Sequence, residues 1–153
     1  MATEVLFYHL EHQSLEAVLP TLLERTYERG WRAVVEVGDS DRLAPLNALL
    51  WTYKPEGFLP HGTTADGRPA DQPIYLTSDQ GNPNNATVRF LVEGAPLGDV
   101  AGYDRIVVLF DGRNSDSLAA AREHWKTAKA AAGADLKLTY WQQNQDGRWV
   151  RKA

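Results

Sequence analysis

His9, Glu11 and His12 stand close together near the start of the chain, and a His-x-x-His pair beside a carboxylate is a fragment of a metal site. Zinc needs more donors than this cluster supplies, and the chain contains no cysteine. The group therefore reads as polar loop chemistry, and no metal is expected. Asp111 and Asp116 bracket Gly112-Arg113-Asn114-Ser115, directly after the most continuously apolar run in the sequence. Open α/β enzymes keep catalytic carboxylates at such a turn, so it is the place to look for a nucleotide- or phosphate-handling enzyme. Asp111 closing a strand and Asp116 capping a helix would leave the same trace.

Motifs that usually carry chemistry on alternating strands and helices are missing. The segment His9 to Ser14 contains no glycine, so a backbone cannot approach a pyrophosphate there as a dinucleotide fingerprint requires. Neither a Gly-x-x-x-x-Gly-Lys-Ser/Thr loop nor a Gly-x-Ser-x-Gly elbow occurs, which removes the usual phosphate cradle and the raised serine nucleophile. No catalytic set assembles, and no cofactor is expected.

Two constellations point to contact with other molecules. Arg122, Lys126 and Lys129 are spaced i, i+4, i+7, which places them on one side of a helix, and Trp125 lies at the edge of that stripe. The stripe suits a solvated face that answers the helix dipole; it equally suits a site for an anionic peptide. Leu50-Trp51 and Phe58-Leu59-Pro60-His61 gather large apolar groups around a segment rich in breakers. Such groups mark a protein interface if exposed, or pin the loop if buried.

The elements that must position these residues follow from hydrophobic period and turn chemistry. Val5 to Tyr8 reads as a strand, and Leu15, Val18, Leu19, Leu22 and Leu23 follow at helical spacing. Ser14 is placed to cap that helix and Gly30 to end it, while Pro20 predicts a kink or a late start. Arg32 to Val37 is a second strand, and Gly38-Asp39-Ser40-Asp41 opens a second helix bearing Leu43, Leu46, Leu49 and Leu50. The stretch from Thr52 to Pro73 reads as a long loop. Strands at Ile74 to Thr77 and Val88 to Val92 flank an asparagine-rich turn with no crossover helix. Arg105 to Phe110 has the continuous apolar character of a central strand. Ser115 or Asp116 caps a helix running to about Ala132, and Leu136 to Trp141 is a further strand. Asp146-Gly147 predicts a hairpin near 140–153, with Trp149 and Val150 on its return arm. The alternation implies an α/β fold, a three-layer α/β/α sandwich on a mainly parallel sheet, in one domain over 1–153.

Bulk composition agrees. Of 153 residues 43% are hydrophobic and 24% charged, enough apolar surface for one core without cross-links. Twenty acidic against sixteen basic residues give a formal charge of −4, which opposes broad contact with phosphates, so no direct nucleic-acid binding is expected. Trp125, Trp141 and Trp149 beside basic groups would be the stacking platform of a single-strand binder. The opening Met1-Ala2-Thr3-Glu4 lacks a basic, apolar export signal. With no cysteine in the chain, the cytoplasm is the expected address, and no membrane segment is expected.

The segment Leu50 to His61 carries the pattern Leu-Trp-x-x-x-Pro-x-x-Phe-x-Pro-His, which resembles the signature loop of the chi subunit of the bacterial DNA polymerase III clamp-loader complex. Phe7-Tyr8-His9-Leu10 at the end of the first strand, and Ala121 to Lys126 with Trp125 in a late helix, continue the likeness. The resemblance implies a Rossmann-like fold without catalysis, an accessory subunit that tethers the clamp loader to single-stranded-DNA-binding protein through that protein's acidic C-terminal tail. It implies that Arg122 and Lys126 meet the tail's carboxylates and that Trp125 walls an apolar slot. It also implies that Trp51, Phe58, Leu59, Pro60 and His61 face a partner subunit, psi. Some family members carry a further basic residue one turn before the arginine, where this chain has Leu118 and alanines, which shifts the cluster toward Lys129. Asn144 to Ala153, with Arg148, Arg151 and Lys152, extends beyond the family's usual ending.

Overall fold

In a computed structural model, the described residues are 3–11, 13–53, 61–63, 68–78, 81–95, 97, 102–131, 136–146 and 148–152. Eight strands and three α-helices lie among them. In chain order these are β1 (Thr3–Leu10), α1 (Leu15–Glu28), β2 (Ala33–Val37), α2 (Leu43–Thr52), β3 (Gly62–Thr63) and β4 (Ile74–Thr77). They continue with β5 (Val88–Val92), β6 (Arg105–Asp111), α3 (Ser115–Ala131), β7 (Leu136–Gln143) and β8 (Trp149–Arg151). The strands form one sheet in the order β3-β4-β2-β5-β6-β1-β7-β8. Every neighbouring pair is parallel except β7 and β8, which are antiparallel.

The sheet is covered on both faces, which is why its central strands read as unbroken apolar runs. On one face Leu6, Val35, Phe90 and Val107 pack against Val18, Leu19 and Leu23 of α1 and Leu46 and Leu50 of α2. On the other, Val5, Phe7, Ile106, Val108 and Phe110 pack against Ala121 and Ala128 of α3. The architecture is the expected α/β/α sandwich, with two helices on one side and one on the other.

Local chemistry explains most boundaries. Ser14 Oγ accepts from the Ala17 amide at 3.2 Å and opens α1. At the far end Gly30 has φ +77°; its amide donates to the Tyr27 carbonyl at 2.9 Å and the Trp31 amide to Thr26 at 3.2 Å. That pair of bonds is the Schellman closure, which needs a left-handed residue. Pro20 does not delay the start of α1, which begins at Leu15. It is buried within a continuous α1, so the helix forgoes one backbone bond and keeps its apolar face on the core. α3 is capped neither by Ser115 nor by Asp116. Asn114 Oδ1 accepts from the amides of Asp116 at 2.9 Å and Ser117 at 3.0 Å.

In the loops, one expectation is corrected and one is met. Within the supposed Thr52 to Pro73 loop, Gly62–Thr63 pairs in parallel with β4 as an edge strand, and Pro69–Asp71 forms a 3-10 turn. A two-residue strand has no period to read. Between β4 and β5 no helix occurs among the described residues, and asparagine side chains satisfy the backbone instead. Asn82 Oδ1 accepts from the Ala86 amide at 2.6 Å, and Asn84 Nδ2 donates to the Ala33 carbonyl at 2.9 Å.

One buried charge pair ties β2 to β5. The guanidinium of Arg89 donates to both oxygens of Glu36, Nη2 to Oε1 at 2.9 Å, and Nη1 donates to the Leu97 carbonyl. Both side chains are almost wholly buried, at 2% and 4% exposure. A bidentate geometry with a third acceptor is what lets such a pair survive desolvation.

Candidate functional site

Beside α3, the end of β6 and the middle of β7 remain partly uncovered, because one helix alone covers that side of the sheet. The resulting cleft has a volume of about 350 Å³ and is lined by Phe110, Leu118, Ala121, Arg122, Trp125, Lys126 and Tyr140. Its position follows from helical geometry. Ala121 and Ala128 are small and let α3 approach the sheet, while Leu118, Arg122, Trp125 and Lys126 lie along the flank that faces Tyr140.

The cleft is built on an aromatic network. Phe7 and Tyr140 are register partners on adjacent strands, and Trp125 meets both edge-on, at centroid distances of 5.2 Å and 5.9 Å. Phe110 lies 6.0 Å from Tyr140 and 5.1 Å from the ring of His9. Edge-to-face contacts of this kind hold rings in fixed orientations. The wall is therefore rigid and apolar.

Polar groups sit at the back of the network and at its rim. At the back, the Tyr140 hydroxyl lies 2.6 Å from His9 Nδ1, and the Glu11 carboxylate lies 3.3 Å from His9 Nε2. Burial lowers the pKa of His9 against the opposing pull of Glu11 and Asp111, with Arg122 adding to the lowering. Burial likewise raises the pKa of Tyr140. A neutral His9 with its proton on Nε2 presents Nδ1 as acceptor to the tyrosine hydroxyl; Nε2 itself makes no hydrogen bond among the described residues, although the Glu11 carboxylate is near. At the rim, Lys126 Nζ is 3.6 Å from Glu123 and well exposed. Arg122 has no carboxylate within ion-pair distance among the described residues.

Of the residues expected to act together here, Arg122, Trp125 and Lys126 line one cleft. Lys129 does not; it lies on the same stripe, but a turn further along α3, past the end of the cleft. Sequence reasoning missed Phe110 and Tyr140, and it read His9 as a polar loop residue where the structure sets it inside β1 behind Tyr140. The period-2 alternation of β7 sets Leu138 and Tyr140 on the α3 side, a signal that names the face but not the cleft.

The second expected group is divided. Trp51 is 51% exposed at the end of α2, and its ring lies 4.3 Å from that of His61. His61 is buried, with Nε2 3.2 Å from the Asn47 carbonyl, so it fixes the loop to α2. Trp51 is the exposed member of the pair. Phe58, Leu59 and Pro60 lie outside the described residues, as does His12 of the supposed metal fragment. No cluster able to hold a metal ion occurs among the described residues, and no described helix is long and apolar enough to cross a membrane.

The Asp111 to Asp116 turn lines a different cleft, of about 310 Å³, at the carboxyl ends of β1, β5 and β6. Its cations already face carboxylates: Arg42 is 2.6 Å from Glu16 and 3.4 Å from Glu93, and Arg113 is 3.2 Å from Asp111. Asp111 Oδ1 also accepts from the Arg113 amide at 2.9 Å. Both helix starts facing this cleft are occupied by their own caps, Ser14 and Asn114. A phosphate there would meet three carboxylates and no free donor pair, so the geometry disfavours nucleotide chemistry at this turn.

Comparison with known proteins agrees with that outcome. A family model described as "DNA polymerase III chi subunit, HolC" matches residues 2–137. The chain is also similar to a protein of Rickettsia prowazekii (strain Madrid E) named "Probable DNA polymerase III subunit chi", 28% identical over 153 residues, covering 95% of this chain and 90% of that protein. Matched over most of its length, the chain belongs to the DNA polymerase III chi subunit family, an accessory and non-catalytic component of the replicative polymerase.

Proposed function

We propose that this chi-family subunit is a cytoplasmic adaptor that binds the acidic C-terminal tail of single-stranded-DNA-binding protein and links it to the clamp loader through a psi-type partner. The observation that carries the reading is the cleft beside α3, apolar within and cationic at its edge. A tail ending in an aromatic residue would bury its ring between Trp125, Phe110 and Tyr140. Its carboxylates would meet Arg122, which has no carboxylate within ion-pair distance among the described residues, and Lys126, whose exposed pairing with Glu123 is weak and easily exchanged. Lys129, one turn on, would meet acidic residues further back along the tail.

The partner subunit would dock on the end of α2, where Trp51 offers a large exposed ring stacked on a buried His61. An exposed aromatic held rigid from behind is the usual anchor of a protein interface. Phe58, Leu59 and Pro60 would extend that surface.

The test is titration with a fluorescent acidic peptide ending in Pro-Phe. Roughly micromolar, salt-sensitive binding is expected, weakened about tenfold or more in Arg122→Ala and lost for a peptide without its terminal Phe. Absence of binding by the folded protein would overturn the tail reading. Trp51→Ala is expected to spare peptide binding and to abolish co-purification with a psi-type subunit.

A further inference from the structure

The sheet face opposite the α3 cleft carries a second cationic and aromatic surface, beside the end of α1. Arg25 and Arg29 project from the last turns of α1, and Arg105 comes from the start of β6. The guanidiniums of Arg29 and Arg105 lie over the ring of Trp31, at 5.0 Å and 5.3 Å from its centroid. Burial and the charge of Glu4 raise the pKa of Tyr8 against the opposing pull of Arg105, Arg25 and Arg29. Together with Tyr8 and Trp31 they border a small cleft of about 110 Å³.

Counter-charge is scarce there. Glu4 lies 3.8 Å from Arg105, but neither Arg25 nor Arg29 meets a carboxylate within ion-pair distance among the described residues. A helix dipole accounts for one basic residue in a last turn; it does not account for a third arginine brought from another element, or for an indole held against two guanidiniums.

The aromatic surface continues from Tyr8 across the sheet. Trp149 meets the Tyr8 ring edge-on at 4.6 Å, and Trp141 lies 6.4 Å away. The register Gln143↔Trp149 and Trp141↔Arg151 sets both tryptophans and Arg151 on the α1 side of the β7–β8 hairpin. Both tryptophan rings are only partly buried.

We infer that this surface binds single-stranded nucleic acid, with Arg25, Arg29 and Arg105 taking successive phosphates and Trp149 and Trp141 stacking on unpaired bases. A guanidinium fork serves carboxylate and phosphate alike; phosphates of a nucleic acid are favoured because aromatic rings able to stack on bases adjoin the arginines. Single strands are favoured over duplex because the rings offer faces that paired bases cannot reach. The overall charge of −4 opposed such contact at the level of composition, but the charges are not evenly spread.

The experiment is titration of the intact protein with labelled oligothymidylate at several salt concentrations, with a duplex of equal length and inorganic polyphosphate as competitors. Three neutralised phosphates predict a slope of log K against log salt of about −2, falling to about −0.7 in Arg25→Gln/Arg29→Gln. Both residues are exposed, so the variant keeps its fold, and tail-peptide binding is expected to be unchanged in it. Tryptophan fluorescence is expected to quench on oligothymidylate, and Trp149→Ala to weaken binding about tenfold. Equal affinity for duplex or polyphosphate, binding that survives the double substitution, or no binding at low salt would each overturn the proposal. None of these outcomes bears on the tail-peptide reading, because no peptide is present.

Discussion

Gly112 stands directly against the ring of His9: a Cβ built on Gly112 would lie 1.7 Å from Nε2 and 2.1 Å from Cδ2. Gly112 leads out of β6 and its amide donates to the Leu10 carbonyl at 2.8 Å, so the backbone has no room to retreat. The missing side chain is what lets His9 stand behind Tyr140 and hold its hydroxyl.

Gly112→Ala is therefore expected to displace the His9 ring, release Tyr140 and deform the cleft. The overpacking should cost about 1 to 3 kcal/mol in chemical denaturation. If the tail occupies the cleft, peptide binding falls as well. Unchanged stability would show that His9 moves aside freely.

The depressed pKa of His9 sets a direction for stability with pH. Burial favours the neutral ring, with Glu11 opposing, and His124 is lowered for the same reason. The unfolded chain takes up these protons before the folded one does. Stability should thus be complete above the ordinary histidine range and decline as pH falls through it. In His9→Gln the decline between neutrality and pH about 5 should be shallower than in the parent, measured by midpoint of urea unfolding. A steeper decline would mean that the Glu11 contact outweighs burial.

Glu36 and Arg89 are the most deeply buried charges of the sheet. Arg89→Met leaves Glu36 uncompensated and is expected to cost about 3 to 5 kcal/mol, whereas Glu36→Leu/Arg89→Met should recover most of the loss. Thermal unfolding of both variants checks this. Equal destabilisation of the single and double variants would show that the Leu97 carbonyl, not the carboxylate, is the partner that matters.

Tyr53 joins α2 to α1 through its hydroxyl, which donates to Glu24 Oε2 at 2.7 Å. Desolvation, then this bond and the charges of Glu24 and Glu28, push its pKa up to about 12. Burial also raises Tyr8 and Tyr140, so an ultraviolet titration should show several late-ionising tyrosines, and Tyr53→Phe should remove one of them. Because the folded state holds this proton longer, its contribution is present below the ordinary tyrosine pKa and lost as pH rises toward about 12.

The apolar runs of β1, β2, β5 and β6, the spacing of Leu19 and Leu23 in α1, and the capping chemistry of Ser14 and Gly30 were legible in the chain because each depends on residues within a few positions of one another. So was the basic stripe of α3, since a helix carries its own period. What lay beyond reach depends on residues distant in the chain. Asn114 and Asp116 are both good caps, and only the backbone course after Asp111 selects between them. Whether His61 is exposed or buried depends on Asn47 of α2, which its ring meets only in the fold. The cleft itself exists because the sheet carries a single helix on that side, which brings Tyr140 of β7 beside Trp125 of α3 and leaves both partly uncovered. In the same way, Arg25 and Arg105, far apart in the chain, share one surface only because parallel pairing sets β6 against β1 beneath α1. Local periodicity determined which residues form each element and which face each element buries; the long-range pairing of strands alone decided which exposed residues share a surface.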